Sequence, residues 1–179
     1  MGSYSSLVLD ATDVPAIAYY DASAGHLKYA VKNGAVWTIT VVDNAPQVGK
    51  YASLQLKTPA GPPAVAYDDE ANTAVKYAIK NGAAWQVQTV DPNGNVGEHT
   101  ALAFDGAGNP WIAYRDAAPS YDLKLAQWTG AWTIKTVDAS PNMTRNIMAR
   151  TEAIARRRLW NRVRWTKDEA RATTDVAPL

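Results

Sequence analysis

The sequence predicts an all-β fold made of three consecutive four-stranded sheets. Three observations predict it: a segment that recurs three times, short alternating apolar runs inside each recurrence, and turn residues between the runs. PAIAYYD at 15–21 returns as PAVAYDD at 63–69 and as PWIAYRD at 110–116. HLKYAVKNGAVWTITVVD at 26–43 returns as AVKYAIKNGAAWQVQTVD at 74–91 and as DLKLAQWTGAWTIKTVD at 122–138. Trp37, Trp85 and Trp132 therefore stand 48 and 47 residues apart.

Each period divides into four strand-like runs. The first is SLVLD at 6–10, matched by SLQLK at 53–57 and ALAFD at 101–105; the IAYYD-type, LKYA-type and WTITVVD-type runs follow. Asn33-Gly34, Asn81-Gly82, Gly108-Asn109 and Thr129-Gly130 supply the backbone freedom that tight hairpins require. Four antiparallel strands per period make one blade of a β-propeller. A β-sandwich need not repeat in sequence, and solenoid coils are generally shorter than this period. The blades are read as 1–50, 51–98 and 99–143, with 144–179 as a basic tail outside the repeat, helical or partly disordered.

The pattern SLxLDxxGxPxIAYYDxxxxxLKYAxxNGxxWTIxTVD, covering residues 3 to 138, resembles the repeats of bacterial β-propeller proteins. It lacks the Asp box of sialidases (SxDxGxTW), the paired glycines of kelch repeats and the Trp-Asp dipeptide of WD40 repeats. The resemblance implies an architecture and leaves activity open, because propellers bind, scaffold and hydrolyse alike.

Composition narrows the function classes. The chain has 179 residues, 47% of them hydrophobic, with seven Trp and nine Tyr, enough for a packed core. It has no cysteine, which excludes disulfides and thiolate metal sites. No apolar run reaches the length of a membrane span, and MGSYSS is not a secretory leader, so the chain as written reads as cytoplasmic, from a parent that could be secreted. The net charge of +1 conceals two unlike parts. Residues 1–143 hold nine Lys and Arg against thirteen Asp and Glu, a balance of −4; residues 144–179 hold nine against four, a balance of +5.

Three blades are too few to close a ring and leave two apolar faces bare, which predicts a homodimer that completes a six-bladed ring. The first blade starts in register and the repeat breaks after Met148, as in an array cut at a blade boundary. Three readings fit the tail. It is an amphipathic helix with Met148, Ala155, Leu159 and Val163 near one face, a basic arm for nucleic acid or anionic membrane, or the product of a shifted reading frame.

In a propeller, the links from strand four to strand one and from strand two to strand three share one rim around the channel mouth. Asp21, Asp69 and Asp116 end strand two, and Asp43, Asp91 and Asp138 end strand four, in every blade; these read as turn structure. The repeated tryptophans read as packing between blades. Positions that vary between blades can carry function. Ser3, Lys50, Glu98 and Arg145 form one such column, Tyr4, Tyr51, His99 and Asn146 the next, and Tyr20, Asp68 and Arg115 a third. The candidate ligand-binding residues are Tyr4, Tyr20, Lys50, Tyr51, Asp68, Glu98, His99 and Arg115. They suit a small polar ligand or glycan, by stacking and hydrogen bonding. An alternative role for His99, Glu98 and Asp68 is to hold a divalent metal for phosphoester or lactone hydrolysis, with Arg115 neutralising a leaving group. His26 lies in a different loop, and no catalytic motif singles out a nucleophile.

Overall fold

A computed structural model describes residues 2–93, 96–117 and 120–139. They form twelve strands in three separate sheets. The first sheet contains β1 (Gly2–Leu9), β2 (Pro15–Asp21), β3 (His26–Asn33) and β4 (Val36–Asp43). The second contains β5 (Val48–Leu56), β6 (Pro63–Asp69), β7 (Ala74–Asn81) and β8 (Ala84–Asp91). The third contains β9 (Val96–Phe104), β10 (Pro110–Asp116), β11 (Leu123–Trp128) and β12 (Trp132–Asp138). In each sheet the strands lie side by side in chain order and pair antiparallel, as short hairpin links dictate. The tail from 144 onward, and with it the helix, basic-arm and reading-frame expectations, lies outside the described residues. Among the described residues, no helix is long and apolar enough to cross a membrane.

Each first strand starts earlier than its alternating run suggests. Val48 to Lys50 already belong to β5, and Val96 to Glu98 to β9. The early part is irregular, with register shifts between Ser3 and Ser6, between Lys50 and Ser53, and between Ala113 and Arg115. A bulge of this kind breaks the alternation by which a strand is recognised in sequence.

The sheets converge at their first strands, where β1 lies against β5 and β5 against β9, and splay at their fourth strands. Two apolar layers fill the gaps. Leu27, Tyr29 and Ala18 of the first sheet meet Leu54, Val65 and Tyr67 of the second. Val75, Tyr77 and Ala66 of the second meet Leu102, Ile112 and Tyr114 of the third. Side chains of this size contribute about 1.5–3 kcal/mol each when fully buried, so these layers dominate the stability.

Polar pins recur across both gaps. The Tyr67 hydroxyl donates to Asp43 Oδ2 at 2.8 Å, and the Tyr114 hydroxyl to Asp91 Oδ2 at 2.6 Å. Ser6 Oγ accepts from the Leu54 amide and Ser53 Oγ from the Leu102 amide, both at 3.0 Å. Trp85 packs edge-on against Tyr29 at 5.3 Å, and Trp132 against Tyr77 at 5.6 Å. The terminal aspartates therefore do more than cap turns. Asp43 accepts from the Ala45 amide in its own turn, from Tyr67 of the next blade and from Lys76. Burial pushes its carboxyl up most strongly among single influences, yet these bonds together hold it below the ordinary carboxylate range.

Candidate functional site

The bulge in each first strand places one aromatic residue in a left-handed backbone conformation: Tyr4 at φ 52°, Tyr51 at φ 51° and His99 at φ 55°. A side chain other than glycine there costs on the order of 1–2 kcal/mol, so three at one repeat position mark a geometry that the rest of the fold enforces. The result is a ladder of rings. Tyr4 and Tyr51 lie 4.7 Å apart between centroids, Tyr51 and His99 4.8 Å, and Tyr20 meets Tyr4 edge-on at 6.4 Å. The Thr100 hydroxyl, between the second and third blades, bonds the Tyr51 and Ala66 carbonyls and fixes the middle rung.

Charged side chains stand beside the ladder. Lys50 pairs with Glu70 at 2.6 Å and lies 5.8 Å from the Tyr20 ring centroid. Arg115 pairs with Glu98 at 2.5 Å and lies over the Tyr121 ring at 4.9 Å. A cavity of about 130 Å³ opens among them, lined chiefly by Tyr4, Lys50, Tyr51, Asp68, Glu70 and Glu98. Five of the eight residues singled out in the sequence thus line one cavity, and Tyr20, His99 and Arg115 adjoin it through the contacts above. Glu70 and Thr100 escaped sequence reading. Glu70 was findable, because the position after strand two also varies, reading Ala22, Glu70 and Ala117.

The metal arrangement is a different matter. Among the described residues no group of three or more His, Cys, Asp or Glu side chains is placed to hold an ion, so His99, Glu98 and Asp68 do not form a ligand set. The His99 ring is turned onto Tyr51, and Glu98 is drawn to Arg115.

Asp68 is only 7% exposed. Burial first, then the neighbouring Glu70, Asp69 and Glu98 against the single opposing charge of Lys50, push its carboxyl up to about 7. Between the ordinary value of 3.8 and about 7 the native state holds a proton that the unfolded chain has released. This stabilising contribution is full below 3.8 and is lost as pH rises through about 7. Asp68→Asn is therefore expected to stabilise the protein at pH 8 by on the order of 2–4 kcal/mol, with the gain shrinking toward pH 4. Urea denaturation at pH 8, 6 and 4 checks it; a gain independent of pH would contradict the burial of an ionising group.

A second cavity of about 200 Å³ lies between the first two blades at the other end of the strands, walled by Val8, Val14, Tyr29, Val31, Leu56 and Pro63. It is larger but mostly apolar. Its carboxylate, Asp10, already accepts from the Thr12 and Val14 amides through Oδ1. Converging charge and aromatic faces favour the rim as the candidate site.

No family model matches the chain, and no curated protein matches it. Among solved structures, the chain is similar to a fucose lectin from Kordia zhangzhouensis in complex with methyl-fucoside. That match has a TM-score of 0.50 at 13% identity and covers 76% of this chain and 99% of the lectin. The chain is also similar to a triple arginine-to-alanine mutant of AofleA from Arthrobotrys oligospora, with a TM-score of 0.52 at 13% identity. It covers 77% of this chain and 42% of AofleA, so the chain spans less than half the length of that protein. The three sheets are blades of a β-propeller fold. At this identity the likeness concerns architecture, and the blade geometry agrees with it: antiparallel four-stranded sheets that converge on their first strands.

Proposed function

We propose that this protein is a ligand-binding β-propeller module that takes a small polar ligand, a glycan, at the rim around Tyr4, Tyr51 and His99, and that two copies complete the ring. The observation that carries the reading is the aromatic ladder beside a charged cavity. Flat rings stack on the apolar face of a sugar while nearby carboxylates and cations bond its hydroxyls, and this recognition requires no proton-transfer geometry. The architectural likeness to a lectin solved with methyl-fucoside supports the same class of ligand.

A glycan array probed with the full chain tests the reading. At least one glycan class is expected to bind. Tyr51→Ala, which removes the central rung, is expected to weaken that binding about 5–10-fold, in line with the 0.5–1.5 kcal/mol of an aromatic contact. Silence across the array, or binding untouched by both Tyr51→Ala and Tyr4→Ala, would place the ligand elsewhere.

A further inference from the structure

Among the described residues, every charged neighbour of the rim cavity but one has an ion-pair partner. Lys50 is paired with Glu70, Arg115 with Glu98, and Lys76 with Asp69. Asp68 is more than nine-tenths buried, lines the cavity, and makes no hydrogen bond or ion pair with another described side chain. Its carboxylate has room only because Gly97 lies beside it, where a Cβ would stand 2.7 Å from Asp68 Oδ1. Tyr4 and Tyr51 line the same cavity, and aromatic rings attract cations. With a volume of about 130 Å³, below the several hundred Å³ of a pocket for a whole small molecule, the cavity suits one protruding group.

We infer that the rim cavity takes a compact monocation, a primary ammonium group carried by the ligand, with Asp68 as its counter-ion and the Tyr4 and Tyr51 rings as its apolar wall. This rests on the reading of the rim as the binding site and narrows its ligand to one bearing an amine. Where Asp68 is ionised, above about pH 7, a neutral ligand would leave a buried carboxylate uncompensated, and an anionic one would add to the repulsion. The raised carboxyl of Asp68 agrees with a site that lacks its cation. The charged groups facing Asp68 are Glu70, Asp69 and Glu98, which raise it, and Lys50, which lowers it. An arriving ammonium would add to the effect of Lys50, so binding would release a proton near neutral pH.

The test is a chemical-shift titration of the full chain at pH 8 and constant ionic strength, with ethylammonium chloride, ethanol and calcium chloride as separate probes. Ethylammonium is expected to give saturable shifts at the Gly97 and Tyr51 amides with at least tenfold higher affinity than ethanol. Lowering the pH to 6 is expected to weaken it severalfold, and Asp68→Asn to weaken it at least tenfold. Equal responses to ethylammonium and ethanol in the unaltered protein would overturn the inference without any variant. So would saturable calcium binding tighter than ethylammonium, or undiminished binding by Asp68→Asn. Because ethylammonium carries no sugar, its outcome is read separately from the glycan array, and a failure of the ammonium site is distinguishable from a failure of glycan binding.

Discussion

Gly49→Ala is expected to destabilise the protein by about 3–5 kcal/mol, a large fraction of the roughly 5–15 kcal/mol of an ordinary domain. Gly49 has φ +108°, and a Cβ there would stand 2.7 Å from Leu27 Cβ and 2.9 Å from Leu27 Cα. Leu27 is fully buried in the layer between the first two blades, and so is Val48 beside the glycine. No side-chain rotation relieves a contact with Cα, so backbone must shift and the two sheets must part. Overpacking of this kind costs about 1–3 kcal/mol. Holding an L-residue at this φ costs on the order of 1–3 kcal/mol more. Gly82→Ala is the control, since Gly82 also has positive φ, at +60°, but a Cβ there meets nothing within 4 Å. It should lose only about 1 kcal/mol. Urea denaturation of the two variants against the parent separates strain from crowding, and equal losses would mean that the approach of Gly49 to Leu27 is unimportant.

The acidic run Asp68-Asp69-Glu70 shows what the sequence conveys about such a site and where it stops. The repeat made the strands, their order and the inward-facing first strand legible, because alternation and turn residues are local properties. Comparing blades column by column marked Asp68 as variable and Asp69 as constant. Nothing local says that Asp69 is held by Lys76, that Glu70 is held by Lys50, and that Asp68 between them has neither. Those pairings depend on which way each side chain leaves the pleat and on bulges that reset the alternation at Lys50 and Glu98. The same bulges hid the start of each first strand, since the apolar alternation becomes readable only from Ser53 onward. The aspartates ending the fourth strands were legible as turn residues, but the second bond of Asp43 and of Asp91, from a tyrosine one blade further on, joins residues 24 and 23 positions apart. Such a bond exists only once two sheets have packed.

Trp37→Glu is expected to convert the proposed dimer into a monomer, with light scattering falling from about twice the 19.4 kDa chain mass to that mass. The reason lies in how one repeat position fares in three settings. Leu54 and Leu102, each covered by the preceding blade, are 1% and 4% exposed, whereas Leu7, their counterpart in the first blade, is 60% exposed. Trp85 and Trp132 rest on tyrosines of the preceding blade, whereas Trp37 is 44% exposed, with Leu9, Ile39 and Val41 also bare. An apolar face of this extent is unusual in a monomer. The third blade presents the matching surface, only half-buried: Leu125 stands where Tyr29 and Tyr77 stand, and Leu123 where Leu27 and Val75 stand. A second copy would therefore seat Trp37 of one chain on Leu125 of the other, and the reverse at the second junction, continuing contacts already made twice within the chain. Removing a central tryptophan from such a junction typically costs 2 kcal/mol or more, about 30-fold in affinity, and both junctions lose it at once. The isolated chain should tolerate the change, because Trp37 faces solvent there. Leu125→Lys should produce the same monomer from the opposite face. Mixing the two variants should restore a dimer, since one junction is then native and the other sets glutamate against lysine. A monomeric parent protein, or a mixture that stays monomeric, would show that these two faces do not meet.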